Sequence, residues 1–134
     1  METIDFKHLY SIKNKPGVWE FKKVVGKKFI ACLKYGSFDT YATVKPEEVM
    51  CLGDYAIHTN DGTIEIDRVI DWLFADSDQT TFIFDFDGQT PEVQKEIMEK
   101  YAPNYDSDRF KPYHMSKIYK WFNELYKVLS VKGK

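Results

Sequence analysis

The sequence predicts an α+β protein in which a small, strongly curved antiparallel β-barrel is followed by a small, mainly helical domain. Short apolar runs separated by glycine turns fill residues 11–52, as in strands joined by hairpins. Apolar residues then recur at helical spacing in residues 91–102 and 116–129. We expect the first domain to span residues 1–75 and the second to span residues 76–134.

The barrel segment starts at a Lys-Pro-Gly turn, residues 15–17. Trp19 and Phe21 alternate with charged residues, so we expect both aromatic side chains to face the core. Glycine turns separate three predicted antiparallel strands, which cover residues 18–25, 29–33 and 38–44.

The elements that complete the barrel are a helical turn, a strand and a short helix. Pro46 suits the first position of a helical turn over residues 46–52. Residues 55–59 have strand character, and after a turn at residues 60–62 the apolar residues from Ile66 to Phe74 recur at helical spacing. We expect this short amphipathic helix to close the barrel.

The second half begins with a predicted strand over residues 80–86, which carries three phenylalanines on one side. Thr90 then caps a helix that starts at Pro91 and ends near Ala102. Ser116 is the predicted cap of a last helix, whose apolar stripe is Ile118, Trp121, Phe122, Leu125, Tyr126 and Leu129. We expect core packing for this stripe, with a partner-binding groove as the alternative.

Composition indicates a folded protein, since 43% of the 134 residues are hydrophobic and 16% are aromatic. No apolar run approaches the roughly 20 residues that cross a bilayer, and the first residues do not form a secretion signal. We therefore expect a cytoplasmic protein without membrane contact. Cys32 and Cys51 are expected to be reduced thiols in that compartment.

Charge is arranged in three blocks behind a net charge of −2. Residues 1–45 carry nine lysines and four acids, residues 46–108 carry sixteen acids and three bases, and residues 109–134 carry seven bases and one acid. We expect mainly intramolecular compensation, with separate basic and acidic faces for partners as the alternative.

Several short segments together carry a family resemblance: Ser11-Ile12, residues 15–19, Phe29-Ile30, residues 105–109, Ser116 and residues 120–123. In these segments the chain resembles an uncharacterised family of short proteins from Bacteroidota. The chain departs from the family at Asn104, where aspartate is usual, and residues 82–90 do not align. The resemblance implies an SH3-like barrel followed by a small helical domain, and it supplies no catalytic residue.

One motif is similar to the first motif of haloacid dehalogenase-type phosphatases. Asp85 would be the nucleophile and Asp87 the acid/base, with Mg²⁺ at the phosphate. That fold needs further strand and helix units, and 44 residues follow Thr90. We therefore expect no enzymatic activity and keep the phosphatase as a remote alternative.

Ligand spacing for a metal ion is missing from the sequence, because the three histidines are isolated from one another and from the cysteines. A calcium loop around Gly88 would need an oxygen ligand at position 83 and an acid at position 94, which are Ile83 and Gln94. No cofactor or metal is expected.

Two classes of function remain. The first is a nonenzymatic module, or adaptor, that binds a protein partner, with Asp106, Asp108 and Arg109 as candidate contacts or as a structural ion pair. The alternative is RNA or DNA association through a basic barrel face, made of Lys22, Lys23, Lys27, Lys28 and Lys34 with Tyr35. The acidic block disfavours nonspecific binding to nucleic acid, so we rank the protein partner first.

Overall fold

A computed structural model describes residues 6–79 and 81–132 of the chain. It divides into two compact units, of which the first comprises Met1–Asp54 with Glu124–Lys134 and the second comprises Tyr55–Asn123. The predicted domain boundary between residues 75 and 76 stays a prediction.

The first unit is built on a five-stranded antiparallel sheet. Its strands are β1 (Leu9–Ile12), β2 (Lys15–Val24), β3 (Ile30–Lys34), β4 (Tyr41–Val44) and β5 (Val49–Cys51). The order across the sheet is β4-β3-β2-β1-β5. Short 3₁₀ helices lie at Phe6–His8, Pro46–Glu48 and Leu52–Asp54. The three predicted hairpin-connected strands are therefore confirmed as β2, β3 and β4.

One face of this sheet carries a small apolar core. Ile12, Trp19 and Cys32 are buried there together with Ala42 and Val44. The prediction for Trp19 is confirmed, whereas Phe21 is less buried than expected, since it is 39% exposed. The ladder between β2 and β3 is regular from Trp19 to Phe21, and Phe21 pairs with the buried Cys32, so Phe21 lies on the predicted face. The irregularity of the ladder follows directly, between Phe21 and Lys23, so Phe21 lies where the regular pairing of this face ends.

The residues after β4 correct a second expectation. A helical turn does form at Pro46–Glu48, but the predicted continuation to residue 52 is replaced by β5, which pairs with β1. Pairing gives β1 a second hydrogen-bonding neighbour, and this tertiary gain outweighs a weak local helical preference. In the described sheet β4 and β5 are the two edges, and no closed barrel is formed. The α+β class is confirmed.

The second unit combines a β-hairpin with helices. Strands β6 (Ala56–Thr59) and β7 (Gly62–Glu65) pair across a tight turn, in which Gly62 has a φ of 134°. Helix α1 (Ile66–Asp76) follows directly, and α2 (Pro91–Tyr101) begins after the Thr90 cap. The predicted strand at residues 55–59 and both of these helices are confirmed.

The strand predicted over residues 80–86 is wrong for the described residues 81–86, which form turns and irregular structure, and Thr80 lies outside the described residues. Side chains, and not a neighbouring strand, donate hydrogen bonds to backbone carbonyls of this segment. The Asn123 amide donates to the Phe84 carbonyl at 3.1 Å, and the Gln94 amide donates to the Phe86 carbonyl at 2.9 Å.

The last helix, α3 (Pro112–Lys132), starts a full turn before the predicted cap at Ser116. Pro112 occupies its first position, which proline favours because its fixed φ is helical and it has no N–H to satisfy. The stripe residues Ile118, Trp121, Phe122 and Leu125 are buried. Phe122 contacts the rings of Phe74, Phe82 and Phe84. Core packing is thus confirmed for this part of the stripe.

Candidate functional site

The end of the β2–β3 hairpin is an exposed basic segment of the first unit. We call residues 22–29 the hairpin tip; every residue in it is exposed. Gly26 lies at the turn with a φ of 133°, and the Val25 N–H donates to the Phe29 carbonyl at 3.1 Å. A left-handed backbone at Gly26 is readily adopted by glycine, which explains the tight reversal of the chain.

The hairpin tip combines positive charge with exposed apolar surface. Lys22, Lys23, Lys27 and Lys28 supply four positive charges and no acid lies among them. The ammonium group of Lys22 lies 3.9 Å from the Glu20 carboxylate. No ion pair of the other three lysines is found in the described part of the chain. Beside these lysines, Val24 is 64% exposed, Val25 47% and Phe29 43%.

The structure brings together four of the five predicted lysines but not the whole predicted set. Lys34 lies at the opposite end of β3 and pairs with Trp19, and Tyr35 follows it in the next turn. Four residue steps along a strand correspond to about 13 Å. Lys34 and Tyr35 therefore belong to a different end of the hairpin from the tip.

A second candidate site lies within the second unit. It is a cleft of about 200 Å³ between the end of α1, the segment after it, α2 and α3. Its lining includes the aromatic side chains of Phe82, Tyr101 and Tyr119. The charged side chains in the lining are those of Asp76, Glu96 and Lys100.

The charged end of this cleft is a hydrogen-bonded cluster. The Tyr101 hydroxyl donates to Asp76 Oδ2 at 2.6 Å, and Lys100 Nζ lies 3.1 Å from the same oxygen. The bond from Tyr101 and the nearby Lys100 hold the pKa of Asp76 below its usual value. Burial, followed by the bond to Asp76, raises the pKa of Tyr101. Burial also raises the pKa of Tyr119.

Sequence reasoning missed this cleft because its residues come from distant parts of the chain. Only α2 carries a local indication, since Val93, Glu96, Ile97 and Lys100 recur at helical spacing and line one side. The pairing of Tyr101 with Asp76 spans 25 residues. No motif spacing could have predicted it.

The predicted cluster of Asp106, Asp108 and Arg109 forms a local turn. Arg109 Nε donates to Asp106 Oδ2 at 2.8 Å, and the Asp108 N–H donates to Asp106 Oδ1 at 3.0 Å. The bond from Arg109 lowers the pKa of Asp106. The Asp106 N–H itself donates to the His58 carbonyl. These bonds hold the cluster in a turn next to the β6–β7 hairpin.

The two aspartates of the phosphatase-like motif lie on an exposed turn. Asp85 Oδ1 accepts from the Gly88 N–H at 3.2 Å, and the Asp87 carboxylate lies 3.8 Å from Lys120 Nζ. Across residues 6–79 and 81–132, no three acidic, histidine or cysteine side chains converge as metal ligands. Cys32 and Cys51 are free, and burial raises the pKa of the Cys32 thiol.

The described fold is that of an α+β protein with an exposed basic hairpin and a small cleft. Its described helices include none with the length and apolarity needed to cross a membrane. The family Domain of unknown function (DUF6852) matches residues 55–125, which is more than half of the chain, and the chain belongs to this family.

A solved structure has a similar fold. A solution NMR structure from Bacteroides vulgatus, determined by the Northeast Structural Genomics Consortium, is similar to the chain with a TM-score of 0.69 and 19% identity. The similarity covers 94% of this chain and 89% of that chain, and it shows a shared fold. No curated protein matches the sequence. These findings agree with the predicted membership of an uncharacterised Bacteroidota family.

Proposed function

We propose that the protein is a nonenzymatic interaction module of the cytoplasm that binds an acidic segment of a protein partner at the hairpin tip. The observation that supports this proposal is the combination of four exposed lysines with three exposed apolar side chains within residues 22–29. The hairpin tip therefore presents ammonium groups and solvent-exposed apolar side chains at the same place, where a partner could contact both.

The charge argues for an acidic partner. Three of the lysines have no carboxylate within ion-pairing distance in the described part of the chain, and the ion pair of Lys22 with Glu20 is long at 3.9 Å. A carboxylate of a binding partner would therefore displace mainly water and salt ions from these ammonium groups. Such long-range attraction mainly raises the association rate and falls with ionic strength.

The apolar side chains argue for a protein rather than a nucleic acid. Val24 and Val25 provide aliphatic contact area, whereas single-stranded nucleic acid is held by aromatic rings on which bases stack. Phe29 is the aromatic residue of the tip, and Tyr35 lies at the other end of β3. The four lysines would nevertheless suit a phosphate backbone, so nucleic-acid binding is the second candidate.

For the first unit we propose a curved sheet of the SH3-like kind. Three features support this: the order β4-β3-β2-β1-β5, the 3₁₀ helix before β5, and the bulged ten-residue strand β2. Bulges bend strands and increase their twist. A bend in β2 would let its first half pair with β1 and its second half pair with β3 in different directions.

A pulldown from cytosolic extract, with and without nuclease, tests the proposed function. The test variant is Lys27→Glu with Lys28→Glu. The matched control is Lys95→Glu with Lys117→Glu, which makes the same change in net charge at exposed lysines of the second unit. We expect a protein partner that survives nuclease, is retained by the control and is lost by the test variant.

Two results would contradict this proposal. Loss of every partner after nuclease would favour the nucleic-acid alternative. Equal retention of the partner by the test variant and the control would remove the hairpin tip from the binding surface.

A further inference from the structure

The cleft of the second unit has a size and a lining that suit one particular kind of ligand. Its volume is about 200 Å³. Pockets for drug-sized molecules are larger, roughly 300–1,000 Å³. A single amino-acid side chain or a comparably small molecule is therefore the appropriate scale of ligand.

Three aromatic rings and two carboxylates are part of the lining. The faces of aromatic rings carry partial negative charge and attract cations within about 6 Å of the ring centre. Phe82, Tyr101 and Tyr119 contribute such rings, while Asp76 and Glu96 contribute carboxylates. Glu96 is exposed, and no ion pair of its side chain is found among the described residues.

The C-terminal ends of two helices also favour a cation at this cleft. Asp76 is the last residue of α1, and Tyr101 is the last residue of α2. The backbone carbonyls at helix C-termini carry partial negative charge, which stabilises nearby cations. Two C-termini thus contribute residues to the charged end of the cleft.

One cation already occupies this end. Lys100 Nζ lies 3.1 Å from Asp76 Oδ2 and 5.3 Å from the centroid of the Tyr101 ring. More than half of the Lys100 side chain is exposed. Ion pairs of such exposed side chains contribute little to stability and can be exchanged for another partner.

We propose that the cleft binds an organic ammonium group, and that Lys100 is an intramolecular competitor of this ligand. The ligand's ammonium replaces that of Lys100 at Asp76 and the Tyr101 ring, while its alkyl chain lies against Phe82 and Tyr119. Lys100 then turns into solvent. This site is separate from the hairpin tip, and it does not depend on the acidic partner proposed there.

Backbone amide NMR of the full chain, titrated with butylammonium and with a capped lysine, tests this site. Both probes should give saturable shifts at cleft residues. Tighter binding of butylammonium indicates a free amine as the natural ligand, and tighter binding of the capped lysine indicates a side chain of a peptide. Either order supports the proposal.

Variants separate this site from general surface charge. Lys100→Gln should strengthen binding by up to about fivefold, because it removes a competing ion pair of the kind worth up to about 1 kcal/mol. Asp76→Asn should weaken binding by at least about tenfold. Glu92→Gln is the matched control, since it removes an exposed acid of α2 that does not line the cleft.

The outcomes that overturn the proposal are equally specific. They are the lack of a saturable shift with either probe, an equal loss of binding in the Glu92→Gln control, and saturable binding of inorganic phosphate at Lys100. If Asp76→Asn fails to fold, which the same spectra show, Glu96→Gln replaces it with an expected weakening of about threefold.

Discussion

Tyr101→Phe removes one hydroxyl group from the second unit and leaves the ring in place. Tyr101 is 4% exposed, and its hydroxyl donates to Asp76 Oδ2 at 2.6 Å. A hydrogen bond to a charged group contributes about 1.5–3 kcal/mol. Asp76 keeps Lys100 and contact with solvent in the variant, so we expect the lower part of that range, about 1.5–2 kcal/mol of lost unfolding free energy.

The pH dependence of this loss follows from two shifted pKa values. The pKa of Asp76 is lowered, chiefly by the bond from Tyr101, so its contribution is present above the unfolded value of about 3.9 and disappears as the pH falls through the lowered folded pKa. The pKa of Tyr101 is raised, so its contribution is present below about pH 10 and disappears as the pH rises further.

Urea denaturation followed by tryptophan fluorescence at pH 2, 7 and 11 measures these effects. Tyr113→Phe is the matched control, because the Tyr113 side chain is 61% exposed. We expect a lower midpoint for Tyr101→Phe at pH 7, and smaller differences from the parent at pH 2 and pH 11. A midpoint at pH 7 equal to that of the Tyr113→Phe control would refute the reasoning.

Two further predictions concern packing. Trp121→Ala should lower the unfolding free energy by about 3–5 kcal/mol, because the buried indole packs edge-to-face on Tyr55; an unchanged midpoint in urea would show that the ring is not part of the core. Gly36→Ala should cost at least about 1–2 kcal/mol, because Gly36 has a φ of 84° and a Cβ there would meet the Val128 side chain; a melting temperature equal to the parent's would contradict that geometry.

Short-range sequence patterns correctly predicted the elements whose conformation depends mainly on neighbouring residues. The hairpin around Gly26, the Thr90-Pro91 start of α2 and the buried stripe of α3 follow from turn chemistry, capping and periodicity. Strand β5 did not follow, because its conformation depends on pairing with β1. The start of α3 was missed because Ser116 competed with Pro112, and both residues are typical of helix N-termini.

The two candidate sites also differ in how far they could be predicted from the sequence. The lysines of the hairpin tip lie within seven residues of one another in the sequence, so their grouping could be predicted, whereas Lys34 could be placed only by the register of β3. The cleft depends on contacts between Asp76 and residues about 25 positions later. Sequence patterns describe neighbours along an element and do not specify which side chains meet across the fold.

The most direct test of the hairpin tip is photo-crosslinking in cells. A photoreactive amino acid is placed at Val25, and at the exposed Thr63 of the second unit as the control. The proposed function predicts a crosslink from position 25 to a protein, mapped to an acidic segment, with no equivalent product from position 63. Crosslinks from position 25 to RNA or DNA, or the same products from both positions, would contradict it.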